Sequence, residues 1–253
     1  MAALLRSSLE GNTQILTIQN REHRNALTPE MSVSAIEALT TAESNPDVRS
    51  IIVTGNGTPF CSGINMQQLM RDALLPDKQL YLQLQNLSDW MEGLRTCSKP
   101  TIAAVEGMAA DAGFALALAC DFLTAARDAQ FFMTNSRFYL TQTAGITELL
   151  SRRLPPQSVN EILMLGRIIN SERLYQLGIV NTLAESGHTL EAALKIAGEI
   201  NQRESRVLAE TKELINECEI NTREAQAAAE NKRFIKNLKH PEFRSLNQRK
   251  DGL

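Results

Sequence analysis

The sequence predicts an α/β fold with a helical C-terminal region, on three observations. β-rich runs ending in turn residues recur through about the first 145 residues, and helical patterns lie between them. The joints between these elements are glycine-containing strand-to-helix turns. Beyond that point the pattern becomes almost wholly helical, and residues 189–238 are rich in Ala, Glu, Lys and Leu with no strand signal.

In chain order, "QILTIQ" (14–19) reads as the first strand and "SIIVTG" (50–55) as the second. Between them Thr28-Pro29-Glu30 opens a helix, with Thr as N-cap, Pro at the first helical position and an acid in the first turn. Pro46 ends it. Leu80, Leu84, Leu87, Met91 and Leu94 recur at alternating spacings of four and three, so residues 77–96 form a helix with one apolar face. "KPTIAAVEG" and "FLTAA" (122–126) give two further strands. Pro155-Pro156 punctuates the helical part, and "SERLYQLGIV" reads as a capped helix with an extended exit. The expected division is a core domain over 1–190 and a helical region over 191–253.

Composition narrows the function. The 253 residues are 43% apolar and 22% charged, with a formal net charge of −3, and no basic run is interleaved with aromatics. Binding to DNA or RNA is therefore not expected. No apolar run reaches the about 18–20 residues that span a bilayer, "MAALLRSSLE" lacks the core of a secretory signal, and the terminal "DGL" matches no sorting signal. Cys61, Cys97, Cys120 and Cys218 are scattered with no His at ligand spacing, so no metal site is expected and a reducing, cytoplasmic setting is. His23, His188 and His240 fall in loops and read as surface residues.

Two strand-to-helix turns carry the chemical signal: "GNGTPFCSGINMQQL" (55–69), leading through Ser62-Gly63-Ile64 into a helix at Asn65, and "VEGMAADAGFALALACD" (105–121). The first N–H groups of a helix lack intrahelical partners and favour negative charge. Two of them converging on one carbonyl oxygen make an oxyanion hole.

With "REHRNALTPEM" and "LGRIINSERLYQLGIVNTL", these stretches form four ordered motifs over residues 12–185. In that order they resemble the crotonase superfamily, the enoyl-CoA hydratase/isomerase family. The resemblance implies a crotonase-like spiral of β-β-α units, a C-terminal trimerisation region, and a homotrimer or dimer of trimers. It also implies an acyl-CoA thioester substrate, with coenzyme A part of that substrate and no separate cofactor. A thioester enolate would be held by the N–H groups of Ile64 and Ala112. Arg24, Asn25 and Ala26 match the segment lining the CoA groove, and Ser62, Gly63 and Asn65 surround the first donor. Lys232, Arg233, Lys236 and Lys239 either contact CoA phosphates or form a solvated face.

The match fails where hydration needs acids. The two hydratase glutamates fall on Ala115 and Asn135, and the acid that some isomerases place later falls on Thr143. None of the three is a competent general acid or base, so they are assigned to the substrate pocket only. Asp111 replaces the first glycine of the family's turn. It is either the N-cap of the following helix or the remaining proton carrier. Glu148 reads as facing solvent or a neighbour, and Glu106 as a structural acceptor. Double-bond isomerisation, needing one shuttle and no activated water, is the expected reaction. The alternatives are a hydratase using another acid and a member that binds acyl-CoA without turnover.

Overall fold

The computed structural model describes residues 3–246; the terminal Asp251-Gly252-Leu253 lies outside them. In chain order the elements are β1 (Leu4–Glu10), β2 (Thr13–Gln19), α1 (Pro29–Ser44), β3 (Ser50–Gly55), α2 (Met66–Asp72), α3 (Asp77–Thr96) and β4 (Thr101–Val105). There follow β5 (Met108–Ala110), α4 (Ala112–Ala119), β6 (Phe122–Ala126), β7 (Gln130–Phe132), α5 (Ile146–Ser151), α6 (Pro156–Leu163) and β8 (Ile169–Asn170). The chain continues with α7 (Ser171–Gln176), β9 (Thr182–Ala184), α8 (Thr189–Asn201), α9 (Ser205–Glu217), α10 (Arg223–Leu238) and α11 (Pro241–Leu246).

Six strands form one sheet in the order β1-β2-β3-β4-β6-β9. The pairs from β2 through β9 are parallel, and β1 is added antiparallel at the edge. A central parallel strand is covered on both faces, and β4, "TIAAV", is accordingly buried at every residue. A second sheet of order β5-β7-β8 sets β5 parallel to β7. The site is built where β5 leads into α4.

Local chemistry sets the element ends. The Thr28 hydroxyl accepts from Met31 N–H at 3.4 Å, Pro29 is the first residue of α1, and the helix stops before Pro46. In α3 the expected apolar face buries Leu87, Met91 and Leu94, and Trp90 joins them in the core. Every residue of α4 is buried, so its run of Ala, Leu and Phe is a core-helix composition rather than an amphipathic one.

The chain divides into two compact units, 1–202 and 203–253. Helix α8 packs on β3, β4 and β6 and belongs to the first unit. Glu106 is the structural acceptor expected of it. Its Oε1 accepts from Gly187 N–H (3.1 Å), Thr189 N–H (3.0 Å) and Thr189 Oγ1 (2.7 Å), fixing the start of α8. Hydrogen bonds to a charged group contribute about 1.5–3 kcal/mol. Glu106→Ala is expected to lower unfolding free energy by about 2–3 kcal/mol in a urea titration.

Within the second unit, α9 and α10 are tied by ion pairs. Arg233 meets Glu217 (2.6 Å) and Glu213 (3.2 Å), and Lys236 meets Glu210 (2.6 Å). Two of the four cations singled out for CoA phosphates are thus engaged by carboxylates of their own unit. Ile215 of α9 and Phe234 of α10 stand exposed, as does Ile220 in the turn between them.

Candidate active site

The two turns are zipped together by backbone hydrogen bonds. Phe60 N–H donates to Glu106 O (2.8 Å), Cys61 N–H to Met108 O (3.1 Å), and Ala110 N–H to Cys61 O (2.9 Å). The first motif is tied to the same place, with Leu27 N–H on Gly63 O (2.7 Å) and Ser62 N–H on Arg24 O (3.2 Å). Gly63 sits at φ +88°, and a Cβ there would lie 2.8 Å from Asp111 Cβ and 3.2 Å from Ala112 N. A Cβ on Gly113 would lie 2.6 Å from Cys61 O. Only glycine lets the backbones approach this closely.

Past this junction each chain turns into a helix. The Asn65 side chain caps α2, accepting from Gln68 N–H at 3.0 Å. Among the described residues, neither the Ile64 N–H nor the Ala112 N–H donates to a protein acceptor. The Ala112 N–H opens α4, and the backbone of Gly63, next to Ile64, lies against it.

Asp111 corrects one expectation: its side chain does not cap α4. The residue has φ 47° and ψ −120°, far from the extended conformation of an N-cap, so the carboxylate cannot curl back over the first helical turn. It reaches across to the segment after β7 instead. Oδ1 accepts from Thr134 N–H and Oδ2 from Thr134 Oγ1, both at 2.6 Å, and the Asn135 N–H adds a third donor. Burial pushes the Asp111 carboxyl above the usual aspartate value; the Thr134 hydroxyl, the Thr134 N–H and the Asn135 N–H pull in the opposite direction. Beside it, burial pushes the Cys61 thiol up to about 12. Cys61 therefore stays a neutral thiol near neutral pH.

A groove of about 450 Å³ opens over this junction, and Arg24, Ala26, Ser62, Ile64, Asn65 and Asp111 all line it. So do Met66, Gln67, Phe132, Thr134 and Phe138, which the sequence reading did not single out. His23, expected as a plain surface residue, also lines it, with Nδ1 3.2 Å from Asn20 Oδ1. Of its two acids, Asp111 is half-buried and Glu22 is exposed at the rim.

Four assigned residues lie outside the groove. Asn25 is buried, accepting from Asn20 N–H at 3.0 Å and donating to Pro59 O at 2.7 Å, so it shapes the loop. Ala115 is fully buried in α4, Asn135 Nδ2 donates to Thr141 O at 2.7 Å, and the Thr143 carbonyl accepts from Ile146 N–H at 3.4 Å. None of the four lines the groove. Glu148 faces a neighbour, pairing with Arg95 at 3.1 Å and with Arg152. Among the described residues no group of His, Cys, Asp and Glu is arranged to hold a metal ion, and no helix is long and apolar enough to cross a membrane.

A mostly parallel core sheet, two interlocked turns and an open groove lined by both of them define an α/β protein with a candidate ligand site at the turns. The comparisons make this specific. The family model described as Enoyl-CoA hydratase/isomerase matches residues 10–250. A crystal structure of an enoyl-CoA hydratase from Polaromonas sp. JS666 is 45% identical, with a TM-score of 0.92 over 94% of this chain and 92% of that one. The carnitinyl-CoA dehydratase of Salmonella typhi is 30% identical over 211 residues, 81% of this chain and 78% of that protein. The chain belongs to the enoyl-CoA hydratase/isomerase family, the crotonase superfamily, whose members act on acyl-CoA thioesters.

Proposed function

We propose that this chain moves a carbon–carbon double bond in an enoyl-CoA, converting a 3-enoyl to a 2-enoyl thioester. The observation that carries this reading is Asp111: a half-buried carboxylate lining the groove beside the paired N–H groups, in a sequence that has Ala115 and Asn135 where the hydratase motif has its glutamates. The carboxylate removes the α-proton, and the C–H electron pair moves through the α-carbon into the thioester carbonyl, giving a dienolate. Its oxygen rests on the N–H groups of Ile64 and Ala112, which offer preorganised donors where negative charge develops. The carboxylic acid then returns the proton to the γ-carbon, and the double bond comes to rest in conjugation with the carbonyl. One acid suffices because the group that takes a proton from the α-carbon is the one that gives a proton to the γ-carbon.

Burial suits Asp111 to this work. An aspartate raised towards working pH is a stronger base when ionised and a better partner for a weakly acidic carbon. Arg24, at the groove wall, supplies the positive charge for a CoA phosphate. The exposed apolar side chains of α9 and α10 support assembly of the protein as a homotrimer or dimer of trimers through its helical C-terminal region.

The test is a pair of substrates. Given a 3-enoyl-CoA, the purified protein is expected to form the conjugated thioester, read by its ultraviolet absorbance. Given a 2-enoyl-CoA it is expected to hydrate slowly or not at all. Rapid hydration without isomerisation would assign the site to a hydratase with an unusual acid. Tight binding with no proton exchange at the α- or γ-carbon in deuterated water would assign it to a binding member.

A further inference from the structure

We infer that Thr134 is the positioning residue of the proton carrier: its hydroxyl and N–H grip the Asp111 carboxylate, fix its aim into the groove and hold it ionised enough to act as a base. This rests on the reading of Asp111 as the acid that moves the proton.

Four hydrogen bonds tie Asp111 to the last residue of β7 and the segment after it. Its N–H donates to Phe132 O at 3.0 Å, and its two carboxylate oxygens receive the Thr134 N–H, the Thr134 Oγ1 and the Asn135 N–H. The two Thr134 bonds, at 2.6 Å each and one to each oxygen, form a fork that leaves the carboxylate no freedom to rotate. Thr134 is itself fixed, because its carbonyl accepts from Arg137 N–H at 2.8 Å as the chain enters a 3-10 turn at Asn135–Phe138. Both Asp111 and Thr134 line the groove. The fork therefore acts at the wall where substrate arrives.

The charge balance around Asp111 gives the fork its function. The other titratable groups near it are Glu22, His23 and Arg24 of the first motif, and the Cys61 thiol, which stays neutral. Among the described residues, no cation donates to the carboxylate; its donors are neutral hydrogen-bonding groups alone. Burial favours the protonated acid, and donors to the oxygens favour the carboxylate. Two of the three donors are backbone N–H groups. The Thr134 hydroxyl is the one that a side-chain substitution removes.

Thr134→Val deletes that donor and keeps the shape of the side chain. The ionisation of Asp111 is expected to move upward by about one pH unit. It is read in two independent ways: as the carboxyl carbon-13 titration of Asp111 in the free protein, assigned with Asp111→Asn, and as the acidic limb of kcat/KM for 3-enoyl-CoA isomerisation. The variant is expected to be about tenfold slower below the limb and to recover above it, which a merely loosened fold would not do. Thr134→Ser, which returns the hydroxyl, is expected to bring the limb back towards its wild-type position. A titration unmoved in Thr134→Val overturns the inference, whatever the activity does. A titration that moves while wild-type protein shows no exchange at the α- or γ-carbon sustains the fork and removes the isomerase reading.

Discussion

Asp111→Asn is expected to lower isomerisation, and α-proton exchange in deuterated water, by about 10²–10⁴-fold, the usual range for removing a positioned acid–base group. The substitution keeps the shape and removes the proton-accepting charge. The Asn carbonyl can still accept from Thr134 N–H, and the Thr134 hydroxyl can turn to accept from the amide. Acyl-CoA binding should therefore be largely kept, so that the loss falls on kcat rather than KM. Measuring exchange separates this from a structural role. If exchange survives the substitution, Asp111 only organises the turn and the proton carrier is another group.

The same residue makes stability depend on pH in a definite direction. Because burial holds the Asp111 carboxyl above its unfolded value, the folded state takes up a proton more readily than the unfolded chain does. Its contribution to stability is complete below the ordinary aspartate value and is lost as pH rises through the raised one. Asp111→Asn removes that dependence, so the stability difference between wild type and variant should shift against the wild type over the same window in chemical denaturation. Asp111 also holds φ 47°, a region a side chain occupies at a cost of about 1–3 kcal/mol. A charge disfavoured by burial and a backbone held under strain meet at one position.

Much of the core is legible in the sequence because its signals are local. "SIIVTG" and "FLTAA" match β3 and β6, and the apolar spacing over 77–96 matches α3, since periodicity and turn residues act within one element. β1 escapes such a reading. "LLRSSLE" is an exposed edge strand with little buried on either face, so no alternation marks it. β8 and β9, two and three residues long, exist because neighbouring strands pair with them. α8 reads as amphipathic whichever unit it joins, and only its seat on the sheet places it with the first. The site divides in the same way. Gly63 and Gly113 announce the two turns, whereas the direction of the Asp111 carboxylate depends on φ and on Thr134, 23 positions further along. A cap and a fork share one sequence until the second turn is folded against the first.

Gly63→Ala is expected to have the second large effect, and a matched control tells why. The new Cβ would meet Asp111 Cβ at 2.8 Å and Ala110 O at 2.9 Å, with Ala112 N at 3.2 Å, so the two turns must part. The added costs are about 1–2 kcal/mol for a side chain at positive φ and about 1–3 kcal/mol for overpacking, together about 2–5 kcal/mol of unfolding free energy. Gly178, at φ +76° with nothing within 4 Å of its Cβ position, carries the backbone cost without the crowding. Gly178→Ala should therefore lose only about 1–2 kcal/mol and leave catalysis intact. On the proposed function, parting the turns moves the N–H groups of Ile64 and Ala112 away from the position they share at the enolate oxygen. Misplacing an oxyanion donor costs about 10²–10³-fold in kcat, and that loss should persist at temperatures and denaturant concentrations where the variant is fully folded. Two variants that fall equally in stability and equally little in activity would show that the glycine serves only the chain reversal. A steep loss confined to Gly63→Ala would show that the close approach of the two turns is what assembles the site.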